Sequence, residues 1–448
     1  MAGKRPINAE LPPAPESPRA SEVGHTGGGS KSEARWPRPR RVPAALKGIA
    51  VLVAFAIVFL LAAVLGGGSS NDEPSGGAPA PTAEAPSAEP EPVRTPSAEA
   101  AEELGYPSFA TNNTTRVGGS DPAAIAAAVA LAVFPSSTPV QRPAAVTIVD
   151  EGDWQGTVAA SVLMAGPVRA PLLVSADGDL ADASSQALAA LDPRGSAATH
   201  GAQAFAVGEG ARPEGLKTTG IEGRDAATLA ASIANLRERL AGGPPRHIVL
   251  APESEPEFAV PAAAWAARSG DPVLFTATDE LPAATRKALR ARAKVPLYVL
   301  GPSSAVSSKV FRELDELAGR VRRVAGETPV ENAIALARYA GGDFGWNVND
   351  PGHGFVVARA DDPLAATVAS PLSASGTWGP LLLTDDAATL PGALREYLLD
   401  VKPGYTTDPT RAFYNHVWVI GDQGAIDVNQ QAEIDELAEL AKIGGKEP

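Results

Sequence analysis

A short motif occurs three times in this chain, and this repetition limits the folds that the chain can adopt. The motif combines a proline, three apolar residues, a hydroxyl residue and an acidic turn that precedes a helix-like run. The three copies begin at Pro171 ("PLLVSADGDL"), Pro272 ("PVLFTATDEL") and Pro380 ("PLLLTDDAATL"), 101 and 108 residues apart. A period of this length in a chain of 448 residues predicts three copies of one structural unit.

Two further landmarks recur in the same order around this motif. The first is a glycine followed by polar residues and an alanine-rich helix, with its glycines at Gly119, Gly223 and Gly326. The second is an apolar strand that ends in glycine, at Gly208, Gly301 and Gly421. Three landmarks in one order, three times over, predict repeat modules at residues 114–217, 218–320 and 321–442.

The apolar runs of each module are short and continuous, which is typical of parallel strands covered by helices on both faces. Nine such runs are predicted as strands: "AVTIVD", "PLLVS" and "AFAVG"; "HIVLAP", "PVLFT" and "LYVLG"; "GFVVAR", "PLLLT" and "VWVIG". Between them, amphipathic stretches such as "SSKVFRELDELAGRV" predict helices. The fold class is therefore α/β, built from three small modules with parallel sheets.

The N-terminal part of the chain has a different character. The run "GIAVLVAFAIVFLLAAVL" carries no charge, and we expect residues 48–67 to be a transmembrane signal anchor. Basic residues precede it, so the positive-inside rule predicts a cytoplasmic tail at residues 1–47 and an extracellular C-terminal body. Residues 68–108 are rich in Pro, Ala and Glu, which predicts a disordered stalk that holds the body away from the plasma membrane.

Composition excludes several kinds of site. The chain has no cysteine, so it has neither disulfides nor thiolate metal sites. From Leu104 onward the net charge is −12, which argues against a nucleic-acid partner. The five histidines are dispersed without metal-ligand spacing, and those that begin strands, His247 and His416, are interpreted as structural. We therefore expect no catalytic residue, no metal and no cofactor.

The landmarks as a set resemble those of the bacterial cell wall binding repeat type 2 family, over about Thr114 to Leu440. The resemblance implies that the three copies pack as a pseudo-threefold trimer of α/β modules. It also implies ligand contacts at Arg116, Asp121 and Asp225, which stand at positions of the family's opening Arg and Asp. The partner that it implies is a cell wall polymer, peptidoglycan or an associated glycan.

Acidic residues follow the second strand of each module, where open parallel sheets place their binding crevices. They are Asp177, Asp179, Asp279, Asp385 and Asp386. Two interpretations remain open: these carboxylates cap the helices that follow, or they contact a ligand or cation. The segment Gly342–Gly354 has no counterpart in the other copies and is interpreted as an inserted loop.

Two hypotheses of function follow. In the first, the chain is a non-catalytic, membrane-anchored surface protein whose repeat body binds the cell wall. In the second, it is an extracellular α/β solute-binding protein or a hydrolase with an unrecognised site. The missing catalytic motifs favour the first hypothesis.

Overall fold

The computed structural model describes residues 109–119, 121–375 and 378–443 of the chain. The predicted tail, membrane span and stalk (residues 1–47, 48–67 and 68–108) lie outside the described residues. In the part that is described, no helix combines the length and the apolar character needed to cross a bilayer.

The described chain alternates strands and helices. The strands are β1 (Phe109–Ala110), β2 (Thr114–Val117), β3 (Val146–Asp150), β4 (Leu172–Ala176), β5 (Asp179–Leu180), β6 (Ala204–Val207), β7 (Thr218–Ile221), β8 (Ile248–Pro252), β9 (Val273–Thr276), β10 (Leu297–Leu300), β11 (Val321–Val324), β12 (Gly354–Arg359), β13 (Leu381–Thr384), β14 (Gly404–Tyr405), β15 (His416–Ile420) and β16 (Ala441–Lys442).

The helices are α1 (Pro122–Val133), α2 (Trp154–Ala160), α3 (Asp182–Leu191), α4 (Ala226–Ala241), α5 (Pro256–Ala259), α6 (Pro261–Ser269), α7 (Ala283–Ala291), α8 (Ser308–Leu317), α9 (Pro329–Arg338), α10 (Pro363–Val368), α11 (Ser370–Ala374), α12 (Gly392–Asp400) and α13 (Val428–Ala438). Three short 3₁₀ helices lie at Pro139–Gln141, Ser161–Met164 and Pro409–Arg411. The α/β class is thus confirmed, and all nine predicted strands form.

Three larger sheets contain these nine strands as parallel neighbours. The first sheet has the order β5-β4-β3-β6-β7, the second β11-β10-β8-β9 and the third β1-β2-β15-β12-β13. Only β1 and β5 pair antiparallel in these sheets. The central strands are buried along almost their whole length, as expected for a sheet covered by helices on both faces.

The sequence patterns did not predict the short antiparallel strands β1 and β5, nor one parallel strand in each larger sheet. The residues before α1, α4 and α9 form β2, β7 and β11, although only a glycine followed by a helix was expected there. β7 pairs with β6, β11 pairs with β10, and β2 pairs with β15 at the far end of the described chain. The opening strand of each copy therefore completes the sheet of another copy, and the three exchanges form a closed cycle.

Short helices rich in small residues meet at the centre of the body. These helices follow one inner strand of each sheet: α2 follows β3, α5 and α6 follow β8, and α10 and α11 follow β12. Between the sheets, α6 packs against α11, and α10 packs against α2. Ser161, in the 3₁₀ helix that follows α2, also meets Ser370 of α11, with the two hydroxyl oxygens 3.1 Å apart. One hydrophobic cluster includes Val149, Leu250 and Val356 and so extends into all three sheets. The pseudo-threefold arrangement of the modules stays a prediction.

Candidate functional site

The five acidic turn residues are exposed at the carboxyl ends of β4, β9 and β13. The helices that follow these turns are α3, α7 and α12. Their N-cap residues are Ala181, Pro282 and Pro391, and no side chain caps any of the three helices. None of Asp177, Asp179, Asp279, Asp385 and Asp386 is the N-cap residue of these helices, so the interpretation of these acids as helix caps is wrong.

Some of these residues instead build the turn itself. The Asp386 carboxylate accepts hydrogen bonds from the N–H groups of Ala388 (2.8 Å) and Thr389 (2.7 Å). These bonds hold the pKa of Asp386 below its usual range. The hydroxyl of Thr384, the last residue of the repeated motif, donates to the carbonyl of Asp386 at 3.1 Å. In the third copy the hydroxyl of the motif thus stabilises the acidic turn.

The acids of the three turns do not come together in one site. Across the described residues, no three His, Asp or Glu side chains group closely enough to hold a metal ion. Near Asp385 and Asp386, the closest basic partner is Arg359, which donates two hydrogen bonds to Asp361 (2.9 and 2.6 Å). A ligand role for the turn acids stays a prediction.

Two of the residues implied by the family resemblance have a structural role. Asp121 is the N-cap of α1 and accepts from the N–H of Ala124 at 2.9 Å. Asp225 is the N-cap of α4 and accepts from the N–H of Thr228 at 2.7 Å. In the third copy Thr328 caps α9 at the same position. A capping side chain at this position therefore begins the first helix of each unit, and it is an acid in the first two copies and a threonine in the third.

Arg116 joins the two ends of the described chain. It is only 2% exposed, and its guanidinium donates to the carbonyl oxygens of Gly421 (2.9 Å), Asp422 (2.6 Å) and Ile426 (2.6 Å). Burial lowers the pKa of Arg116, and the charges of the nearby acids offset part of that effect. With its donors used in this way, Arg116 is a structural residue.

Arg323 makes the equivalent contacts between the second and third copies. Its guanidinium donates to the carbonyl oxygens of Gly301 (2.7 Å), Pro302 (3.0 Å) and Val306 (2.7 Å). The acceptors have the same spacing after the strand-ending glycine as the acceptors of Arg116. A strand arginine that holds the loop after that glycine is thus common to two of the three junctions.

The first sheet departs from this arrangement. At the position of the strand arginine it has Gly220, and a Cβ on Gly220 would lie 2.5 Å from the guanidinium of Arg212. Arg212 comes from the loop after β6 and pairs with Glu222 at 3.1 Å. In the first sheet, Arg212 of the loop therefore lies beside β7. At the other two junctions the arginine belongs to the strand itself, as Arg116 of β2 and Arg323 of β11.

The loop that carries Arg212 also lacks a helix. β10 and β15, the equivalent strands of the second and third sheets, are followed by the helices α8 and α13, whereas residues 208–217 connect β6 to β7 without a helix. A cavity of about 770 Å³ opens beside this loop, lined by Gly178, residues 208–212 and residues 222–224. This volume is in the range of cavities that hold small organic ligands.

The loop is held close to the ends of the strands. The hydroxyl of Ser175, the motif residue of the first copy, donates to Val149 O at 3.1 Å and accepts from the N–H of Ala211 at 3.1 Å. Gly210 passes so close to β3 that a Cβ there would lie 2.5 Å from Ile148 O. Backbone contacts therefore fix the path of the loop that borders the cavity.

The charges of the cavity are balanced. Its charged lining residues are Glu209, Arg212, Glu222 and Arg224. Two carboxylates and two guanidiniums, with backbone groups between them, present donors and acceptors of both signs. Such a surface fits a polar ligand that is neutral or carries both charges better than it fits a polyanion.

Sequence reasoning did not identify these residues as a site. The stretch "GEGARPEG" follows a predicted strand, but it does not match the glycine pattern of a nucleotide-binding loop. Two signals were present: no helical pattern follows Gly208, and Gly220 stands where the other copies have Arg116 and Arg323.

The inserted loop Gly342–Gly354 is attached to the second sheet. Nδ1 of His247 lies 3.1 Å from Oδ2 of Asp271, and Nε2 lies 3.0 Å from Oδ1 of Asp343 in the insertion. Phe344 stacks on Tyr298 with ring centroids 3.6 Å apart. Burial lowers the pKa of His247, but the two carboxylates raise it more, so the pKa lies above its usual value. His247 is buried, in agreement with its interpretation as structural.

Known proteins of similar fold were compared with this chain. Cwp6 from Clostridium difficile has a TM-score of 0.57 and 17% identity, over 73% of this chain and 48% of that protein. Cwp8 from Clostridium difficile has a TM-score of 0.55 and 20% identity, over 73% of this chain and 52% of that protein. At these identities the likeness is one of fold, and this chain spans about half the length of each.

The sequence itself was compared in two ways. No curated protein matches it. Residues 221–311, which run from the end of β7 into α8, match the family model described as cell wall binding domain 2. The resemblance to the cell wall binding repeat family, inferred above from the repeated motifs, is therefore confirmed through this match.

Proposed function

We propose that the described body is a non-catalytic module that binds the bacterial cell wall. The match of residues 221–311 to cell wall binding domain 2 carries this proposal. The similar folds of Cwp6 and Cwp8 support it, because they extend the likeness from one repeat to all three sheets. We further propose that the modules form a pseudo-threefold trimer, which the closed cycle of exchanged strands supports.

The cavity beside Arg212 is the proposed contact with the wall. Its balanced charges and polar backbone favour a neutral or peptide-bearing wall component. The residues from Leu104 onward carry a net charge of −12, which repels polyanions within about 8 Å at physiological salt. Binding through this cavity is therefore polar rather than purely ionic.

We also propose that the body is displayed outside the plasma membrane. The apolar run in residues 48–67 would anchor it, and the basic residues before that run would keep the N-terminus cytoplasmic. The Pro-rich residues 68–108 would extend far enough to bring the body to the wall. Protease accessibility on intact cells tests this topology: the C-terminal body should be cleaved, and the tail should be protected.

Sedimentation of the protein with purified walls tests the binding site. Arg212→Gln and Arg224→Gln remove cavity donors, and each should weaken wall binding about 10- to 150-fold, since a hydrogen bond to a charged group contributes roughly 1.5–3 kcal/mol. Arg312→Gln on α8 is the matched control, because it removes the same charge at an exposed position outside the cavity. If all three variants bind like the unaltered chain, the cavity is not the wall contact.

Binding to walls stripped of anionic polymer distinguishes a polar contact from an ionic one. We expect stripped walls to retain the protein and added salt to have a small effect on binding to intact walls. Loss of binding on stripping, together with loss of binding in high salt, would show that the contact is electrostatic and would overturn the polar mode. Failure to bind any wall preparation would overturn the proposed function itself.

A further inference from the structure

A second, smaller cavity lies at the C-terminal end of α4, whereas the cavity beside Arg212 borders the residues before the N-terminus of this helix. Its volume is about 170 Å³, and its wall is formed by the last turns of α4, the residues that lead to β8 and the residues between α6 and β9. It shares no lining residue with the cavity beside Arg212. At this size it can hold a small molecule or one substituent of a larger one.

A buried arginine with unused donors lies in the wall of this small cavity. Arg237 of α4 is 7% exposed, and its Nη2 donates to Gly166 O at 2.8 Å. Its Nε and Nη1 are buried without a hydrogen-bond partner among the described residues. Buried polar atoms are almost always hydrogen-bonded in folded proteins, so two unpaired donors on one guanidinium indicate that a further acceptor belongs there.

The acids of the same wall do not supply that acceptor. Asp271 is 2% exposed, and its carboxylate accepts hydrogen bonds from the His247 N–H (3.0 Å) and the Trp265 indole (3.0 Å) and faces the imidazole of His247. Glu238 pairs with Arg292 at 2.7 Å. Both carboxylates already have partners of their own, so the charge of Arg237 is left without a direct counter-ion.

The local backbone is shaped to admit the guanidinium. Gly270 has φ +80°, and a Cβ at this position would overlap Nη2 of Arg237. The aligned positions of the other two copies, counted from the N-caps Asp121 and Thr328, are Val133 and Ala340, so the arginine is specific to the second copy. Burial lowers the pKa of Arg237, and the charge of Asp271 offsets part of that effect.

We propose that this cavity binds a carboxylate group through Nε and Nη1 of Arg237. A charged acceptor is favoured because it both satisfies the two donors and neutralises a buried cation. A singly charged carboxylate fits better than a doubly charged phosphate, since Asp271 and Glu238 lie in the same wall. Ala241 and Arg246 are exposed lining residues at its mouth, and Arg246 there pairs with Asp343 at 3.7 Å.

A carboxylate of this kind can belong to a sugar acid or to the C-terminus of a short peptide. Calorimetric titration of the full-length chain with galacturonate, with D-alanyl-D-alanine and with inorganic phosphate distinguishes these sources. We expect saturable binding of at least one of the two carboxylates and weaker binding of phosphate. No saturable heat with either carboxylate, or tighter binding of phosphate, overturns the proposal.

Two variants and one matched control locate the site. Arg237→Met should weaken carboxylate binding at least ten-fold, whereas Arg239→Met removes the same charge from an exposed position of the same helix and should leave binding unchanged. Ala241→Phe blocks the mouth without touching the buried charge, so it tests the site even if Arg237→Met does not fold. Unchanged binding in folded Ala241→Phe overturns the proposal.

Discussion

Arg116 donates a 2.9 Å hydrogen bond to the carbonyl oxygen of Gly421, a residue 305 positions later in the chain. This bond and its neighbours fasten β2 to the loop that follows β15, so the first strand of the repeat region belongs to the last sheet. The three exchanged strands make each sheet depend on two copies. The stability of the body is therefore expected to be shared among the repeats rather than additive over them.

Arg116→Met should lower the free energy of unfolding by about 2–4 kcal/mol, because three buried carbonyl oxygens lose their charged donor. Urea unfolding measures the change. Arg194→Met is the control, since the Arg194 side chain is 72% exposed and should cost little. Equal unfolding midpoints for the two variants would show that the Arg116 junction does not contribute to stability.

Gly223→Ala should lower the free energy of unfolding by about 2–3 kcal/mol, because a Cβ at this position would overlap the backbone nitrogen of Leu229 in α4. This close approach explains why the first landmark contains glycine. Gly243→Ala is the matched control, since nothing lies within 4 Å of a Cβ added there. A Gly223→Ala variant as stable as the control would contradict the explanation.

His247 should make stability depend on pH. Its pKa in the folded state is raised above the unfolded value of about 6.5, so its contribution is fully present below that pH and is lost as pH rises through the folded pKa. The difference in unfolding free energy between the unaltered chain and His247→Gln should therefore be larger at pH 6 than at pH 8.5. Urea titrations at both values measure it.

His416 provides a control of opposite sign. Burial lowers the pKa of His416, with Asp435 offsetting part of the effect. The unaltered chain should therefore lose stability relative to His416→Gln as pH falls below about 6.5. If both variants change in the same direction with pH, the Asp271–His247–Asp343 cluster is not the source of the dependence.

Ala366→Leu should destabilise the whole body, by about 1–3 kcal/mol, because this fully buried residue lies on α10, which packs against α1 and α2 of the first copy. Scanning calorimetry should show one transition at a lower temperature, since a single hydrophobic cluster reaches all three sheets. Ala283→Leu, at the exposed start of α7, is the control. Two separate transitions would mean that the modules unfold independently.

The periodic features of the chain could be predicted from its sequence. The apolar runs "HIVLAP" and "VWVIG" formed β8 and β15 close to their expected bounds, because burial on both faces of a parallel strand leaves a local pattern. The repeated motif likewise predicted three α/β units. Asp121 and Asp225, which the family resemblance implied as ligand contacts, are helix N-caps in the structure, and a ligand role for them stays a prediction.

The remaining features depend on contacts between distant segments, which a local pattern does not record. Short stretches such as "TTRV" become β2 only because β15 offers a free edge, and Arg116 has acceptors only because that pairing occurs. The acidic turn residues are not the N-caps of the helices that follow them, because the path of the backbone, not the spacing in the sequence, decides where the free N–H groups lie. Both cavities are likewise tertiary: one opens beside a loop without a helix, and the other holds the donors of Arg237 among segments from three parts of the chain. The sequence alone thus determined the units and their strands, and the packing of remote segments decided how those units join and where a ligand could bind.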